Sequence, residues 1–265
     1  MLGARGWMFW LWARRVLILL VFAQCPLSSL FASEAIPAFD QANKLYEEGK
    51  YSDAANAYRS LVQEGKVSPA LFFNLGNSLY KSGEVGRAIL CYRLAEQLSP
   101  RDPDIKANLQ FARDSVAAAT PRANVVRRFL NLLTPNELTL LCAGGVWLLF
   151  ALLTVREARP ELAKPLGTYA TAAALACLFF GAWLTVVLKA ELGNEPSVVI
   201  AAEAVVRYGP LEESQSYFTL RNGSELTVLD HKDNWLQVRD GSGRVGWLRA
   251  NQVARVSPES VFEGS

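Results

Sequence analysis

The sequence predicts a chain of three parts: an all-α solenoid of helical repeats, a hairpin of two membrane-crossing helices, and a small all-β barrel. Three observations carry this reading. Between positions 36 and 120 the chain is similar to itself at a spacing of 34 residues, and a fixed period of that size belongs to repeat architectures. Residues 138–155 and 165–188 form two runs, of 18 and 24 residues, without a charge, long enough for helices that cross a bilayer. From 196 to 256 the pattern changes to alternation with period two, broken by glycine-containing turns, as short strands require.

Composition narrows the function classes. Of 265 residues, 51% are hydrophobic and 20% are charged, fewer charges than the roughly one quarter of a soluble domain, so much of the apolar surface belongs to three uncharged runs, those two and 16–33. The 27 Lys and Arg against 25 Asp and Glu leave a net charge of +2, which gives no basic footprint for nucleic acid. Cys25, Cys91, Cys142 and Cys177 have neither the spacing of a disulfide framework nor that of paired metal ligands. The one histidine, His231, reads as part of a polar turn between Asp230 and Asp233. No nucleophile stands with a base, so neither an enzyme nor a cofactor or metal site is expected.

Residues 1–35 read as a signal peptide or N-terminal anchor. Arg5, Arg14 and Arg15 precede the apolar run 16–23, and Ala32, Ser33 and Ala35 offer small residues for processing. Gln24 is too bulky for a lipid-attachment signal at Cys25, and the residues around Arg14-Arg15 match a twin-arginine signal poorly. Cleaved or not, this segment directs the chain from residue 36 onwards out of the cytoplasm.

The repeat region, 36–120, holds two good copies and one partial. A shift of 34 aligns Phe39 with Phe73, Asn43 with Asn77, Leu45 with Leu79, Tyr46 with Tyr80 and Gly49 with Gly83. It also aligns Ala54 with Ala88, Tyr58 with Tyr92 and Arg59 with Arg93. A second shift maps Pro69 onto Pro103, Asn74 onto Asn108 and Leu75 onto Leu109, after which the match fades, as at a terminal repeat. The spacing predicts a helix, a turn at Gly49 or Gly83, and a second helix in which Ala54 or Ala88 allows close approach while Tyr58 or Tyr92 fills the gap. Ser68-Pro69 and Asp102-Pro103 supply an N-cap and a first-turn proline to successive units.

With Leu75, Gly76, Tyr80, Gly83, Ala88, Tyr92, Ala95 and Pro100 at the signature positions, this region resembles the tetratricopeptide repeat family. The resemblance implies a concave groove, lined by the first helix of each repeat, that takes an extended peptide or a partner helix. Here that face would carry Phe39, Asn43, Tyr46, Phe73, Asn77, Tyr80 and Lys81. Members that clamp a peptide carboxylate need lysine or arginine where this chain offers Phe39, Asp104 and Asn108, which argues against that clamp.

Residues 121–134 predict an amphipathic linker helix, with Val126, Phe129, Leu130 and Leu133 opposite Arg127, Arg128 and Asn131. Thr134-Pro135-Asn136-Glu137 reads as a capping box that starts a new helix. Transmembrane helices over 135–155 and 165–188 come next, joined by a loop at 156–164 whose Arg156, Arg159 and Lys164 argue for the cytoplasm.

Over 196–256, strands at 204–208, 225–229, 235–238 and 245–248 alternate with turns at Gly209-Pro210, Asn222-Gly223, 232–234 and 240–243, about five strands in all. Gly246 marks a bulge or a close backbone approach, and residues 257–265 read as a tail. Arg207, Gly209, Pro210, Gly223, Trp235, Val238, Gly246 and Trp247 make this segment resemble the bacterial SH3-like domain. That family binds peptides, cell-wall fragments or protein surfaces, which implies partner contacts through Tyr208, Tyr217, Trp235 and Trp247.

The full order is thus a tetratricopeptide solenoid, a two-helix transmembrane hairpin and an SH3-like barrel behind an export signal. It resembles the BatE-type proteins of bacterial aerotolerance operons over nearly the whole chain. The resemblance implies a scaffold in the inner membrane with both modules in the periplasm, working with von Willebrand factor A-type membrane partners and a MoxR-type ATPase. Peptidoglycan binding through the SH3-like domain is the alternative.

Overall fold

The computed structural model describes residues 35–116, 132–192 and 195–262. The signal or anchor expected over 1–35 and most of the linker helix expected over 121–134 lie outside the described residues.

Among the described residues, five helices build the solenoid: α1 (Ala35–Glu47), α2 (Tyr51–Gln63), α3 (Pro69–Lys81), α4 (Val85–Leu98) and α5 (Pro103–Val116). The Ser68 hydroxyl accepts from the Leu71 amide, and the Asp102 carboxylate accepts from the amides of Asp104 and Ile105, so two helices start where their caps predict. Gly49 and Gly83 end α1 and α3 with φ of +77° and +91°, the left-handed turn that glycine adopts without a Cβ clash. A Cβ on Gly76 would lie 2.8 Å from the Tyr92 ring, so α3 and α4 approach closely with the tyrosine seated on the glycine. Phe72, Leu75, Leu79, Ala88, Ile89, Ala95 and Leu109 fill the core between helices.

The hairpin pairs α6 (Pro135–Ala158) with α7 (Ala163–Leu192). Thr134 and Glu137 exchange hydrogen bonds in a capping box at the start of α6. The expected loop over 156–164 is shorter than predicted, because both helices run on into polar sequence. The break is confined to Arg159 and a single turn at Pro160–Leu162, where the proline disfavours helical backbone at the residue before it. A Cβ on Gly145 would meet Cys177 Sγ at 2.7 Å, so the two helices touch closely there. In the most apolar stretches of the two, only 6% and 11% of residues are buried, whereas the core helix of a soluble domain is mostly buried. With about 1.5 Å per residue, α6 is roughly 36 Å long, enough to cross the hydrocarbon of a bilayer.

Seven strands, rather than about five, form the barrel: β1 (Glu195–Val199), β2 (Glu203–Arg207), β3 (Ser216–Arg221), β4 (Glu225–Lys232), β5 (Trp235–Asp240), β6 (Val245–Arg249) and β7 (Val253–Arg255). They lie antiparallel in the order β3-β2-β6-β5-β4-β1-β7. Val199, Val206, Leu226, Val238 and Leu248 point inward. Gly246 is a close approach: its Cβ would lie 2.5 Å from Val206 Cγ1 and 2.9 Å from the Arg207 carbonyl. The register shifts fall elsewhere, at Val206/Arg207 and Val228/Asp230.

The barrel is packed onto the solenoid. Val198, Ala254 and Val261 belong to the same buried cluster as the repeat helices, with Ile200, Val256 and Phe262 against it. The expected tail therefore docks: Glu259–Phe262 forms a turn that buries Val261, because that valine meets the solenoid core. At the other contact between parts, Arg101 in the α4–α5 loop makes a two-pronged hydrogen bond to Glu137 at 2.6 and 3.0 Å and donates to the Leu132 carbonyl.

Candidate protein-binding faces

Two surfaces hold the residues singled out in the sequence. The first lies along α1, α3 and α5. Asn43 Oδ1 accepts from the Tyr58 hydroxyl at 2.6 Å and from Asn74 Nδ2 at 3.1 Å. One repeat on, Asn77 Oδ1 accepts from the Tyr92 hydroxyl at 2.8 Å and from Asn108 Nδ2 at 2.9 Å. The repeat period thus produces a ladder of amides, each rung locked by a tyrosine from the second helix. Burial pushes the Tyr58 phenol up to about 12 and raises that of Tyr92 as well, so both remain donors across the physiological range. The amide oxygens of Asn43 and Asn77 are saturated. Their NH2 groups, and the oxygens of Asn74 and Asn108, have no hydrogen-bond partner among the described residues.

A pocket of about 150 Å³ opens beside the first rung, lined by Asn43, Tyr46, Glu47, Tyr58, Asn74 and Asn77. Phe39 and Phe73 are half-buried and pack on Tyr58 and Tyr92, with ring centroids 5.7 and 6.1 Å apart, so they serve as walls that stiffen the ladder. Tyr80 meets Phe111 at 5.5 Å. Phe111, 64% exposed, takes the position that asparagine holds in the earlier repeats, and with Tyr80 makes an apolar step beyond the last rung. Lys81 is exposed at the end of α3. A carboxylate, Glu47, lines the pocket and no basic side chain does, which fits poorly with a peptide C-terminus.

Asn74, Asn108, Tyr58 and Phe111 were not among the groove residues expected from sequence. The signal for three of them was the same 34-residue period. Phe111 shows as the departure from it.

The second surface lies on β2, β3 and the loop between them. Tyr208 and Tyr217 stack with centroids 4.4 Å apart, 61% and 41% exposed. Arg207 holds the loop by donating to the Ser214 carbonyl at 2.7 Å, and Arg249 pairs with Glu212 across it. Arg244 covers Phe218 at 4.0 Å. Trp235 is buried beneath Arg249, so the guanidinium, not the indole, is offered there. Trp247 is half-buried opposite Gln237 and Arg207. Tyr208 and Tyr217 are therefore the pair that the fold brings together at the surface.

The remaining titratable candidates are placed apart from both faces. Cys91 is fully buried and its thiol is pushed up to about 12 by desolvation, far from thiolate chemistry. His231 lies on β4 opposite Leu236, not in the expected polar turn, because the strand runs on to Lys232; it is exposed, near Glu195 and Arg255 at 3.3 Å.

A tetratricopeptide repeat family model matches residues 39–103, and a bacterial SH3 domain model matches residues 202–253. No curated protein matches the chain.

Proposed function

We propose that this protein is a non-enzymatic adaptor of a bacterial inner membrane, anchored by the α6–α7 hairpin, whose two binding modules hold partner proteins on the periplasmic side. The observation that carries the reading is the asparagine ladder. Paired open NH2 and C=O groups on Asn43, Asn74, Asn77 and Asn108 match what an extended peptide backbone presents, one donor and one acceptor per residue. The pocket beside Asn43 has room for a side chain. Tetratricopeptide and SH3-like modules are both protein-binding in general, which supports a scaffold.

Orientation is argued from charge. Arg156, Arg159 and Lys164 at the hairpin turn favour the cytoplasm; Arg127, Arg128 and Lys189 pull the other way, and the basic, apolar N-terminus tips the balance towards export. The resemblance to BatE-type proteins names the partner class: von Willebrand factor A-type membrane proteins and a MoxR-type ATPase system in an envelope-stress or aerotolerance complex. Crosslinking in cells, then capture of the full chain, tests the groove. Replacing Asn43, Asn77 and Tyr80 together removes the crosslinked partners; an unchanged set of partners overturns the reading.

The stacked, exposed Tyr208 and Tyr217 favour one second reading, a tether that binds peptidoglycan, since sugar rings pack their apolar faces on aromatic ones. Full chain in detergent then co-sediments with purified cell wall and loses this with Tyr208→Ala. Failure to co-sediment removes it.

A further inference from the structure

The junction between barrel and solenoid repeats a junction inside the solenoid. Within the repeats, Arg59 on α2 reaches forward to Glu84, the residue that precedes α4, at 3.1 Å. Its counterpart one period on is Arg93 on α4. The acid that would serve Arg93 by the same spacing falls at position 118, which is alanine. Arg93 pairs instead with Glu225 at the start of β4, at 2.9 Å, beside the bond it makes to Glu96 on its own helix, also at 2.9 Å. Arg113 of α5 binds both oxygens of the same carboxylate, sharing one of them with Arg93. Glu225 is only 6% exposed, and a charge taken that far from water persists only when paired on several sides.

The apolar edge is replaced in the same way. Gly223 sits against Ile89 and Val116, which a Cβ there would meet at 3.0 and 2.9 Å. Asn222 Oδ1 accepts from the Gly86 amide at 2.6 Å while its own NH2 is fixed by the carbonyls of Ile200 and Ala201. The amide near the start of α4 is one of those that have no partner within the helix, and the barrel supplies it. Gly86 must be glycine for this: its Cβ would lie 2.6 Å from the Val199 carbonyl and 2.7 Å from Asn222 Oδ1.

We infer that the SH3-like domain has a second function, as the C-terminal cap of the solenoid: it covers the edge of α4 and α5 where the repeat pattern runs out, with Glu225 standing where the next repeat's acid would be. Repeat arrays need such a cap because an end repeat otherwise exposes the face that its neighbour would bury. The cap uses β1, the 222–225 turn and the Glu259–Phe262 turn, which leaves Tyr208, just after β2, and Tyr217, on β3, free. One domain therefore closes the solenoid and keeps its own binding face open.

Hydrogen exchange by mass spectrometry on the full chain in detergent tests this with Gly86→Ala, Glu225→Arg and the charge-reversed triple Glu225→Arg with Arg93→Glu and Arg113→Glu. Alanine favours helix over glycine, so Gly86→Ala slows exchange in α4 if nothing docks there and speeds it if the barrel does. Gly86→Ala and Glu225→Arg are each expected to raise exchange across residues 85–116 by about tenfold or more, with α1 and α2 unchanged. The triple restores protection. Slower or unchanged exchange in Gly86→Ala overturns the proposal, as does a triple that remains as exposed as Glu225→Arg alone.

Discussion

Asn77 carries two duties that chemistry can separate. Its oxygen holds the buried Tyr92 hydroxyl and the Asn108 amide, while its NH2 faces the groove. Asn77→Ala leaves a buried phenol without an acceptor, which costs about 1–3 kcal/mol. Asn77→Asp keeps an acceptor, and a stronger one, but removes the donors from the groove. Urea unfolding should therefore show a clear loss for alanine and little for aspartate, whereas both abolish peptide capture; equal loss of stability in the two would mean the oxygen is not the structural half. The period made Asn43, Asn77, Tyr58 and Tyr92 legible as repeated positions. It did not reveal the rungs, because the amide partner lies 31 residues away in the following unit, across a helix packing that spacing alone does not specify. Trp235 misled for a related reason: an aromatic in a short strand reads the same whether it faces solvent or lies under an arginine.

Among the elements, those with local signals were read well. Caps at Ser68, Asp102 and Thr134 start α3, α5 and α6 where the sequence placed them, since a cap needs only neighbours. The missed strands lack alternation for physical reasons. β1 is buried at three successive residues, being covered by the solenoid as well as by the barrel; β3 is exposed at most positions; β7 has three residues. The junction made by β4 also has a pH signature. Burial alone would raise the Glu225 carboxyl, but the hydrogen bond from Arg113 and the charges of Arg93 and Arg113 outweigh it and hold the group below the ordinary glutamate value of 4.5. A carboxylate lowered on folding stabilises fully above its unfolded value and loses that contribution as pH falls through the folded one. The melting temperature of the full chain is thus expected to fall below about pH 4.5. The margin over Glu225→Gln is largest at neutral pH and fades in acid; a constant margin would mean that Glu225 does not titrate in the junction.

At the scale of the whole molecule, the docked barrel constrains the topology that charge counting leaves divided. The solenoid precedes α6 and the barrel comes after α7, so any arrangement must let Arg93 and Arg113 reach Glu225. Hydrocarbon about 30 Å thick cannot lie between groups in hydrogen-bond contact. An even number of crossings satisfies this, and the two crossings proposed for α6 and α7, both long and apolar enough to span, provide it with a turn at Pro160–Leu162. Arg101 adds a second constraint, because its hold on Glu137 ties the solenoid's last loop to the first turn of α6 and so keeps the repeats at the surface where that helix begins. Exposed as it is, that pair contributes little energy; what it adds is direction. Reporter fusions after residues 118 and 257 should therefore read one and the same compartment, the periplasm under the orientation proposed above. Both in the cytoplasm would overturn the orientation and leave the docking intact. Opposite compartments would break the docking itself, since the buried carboxylate of Glu225 would then have to find other cations or leave the interior.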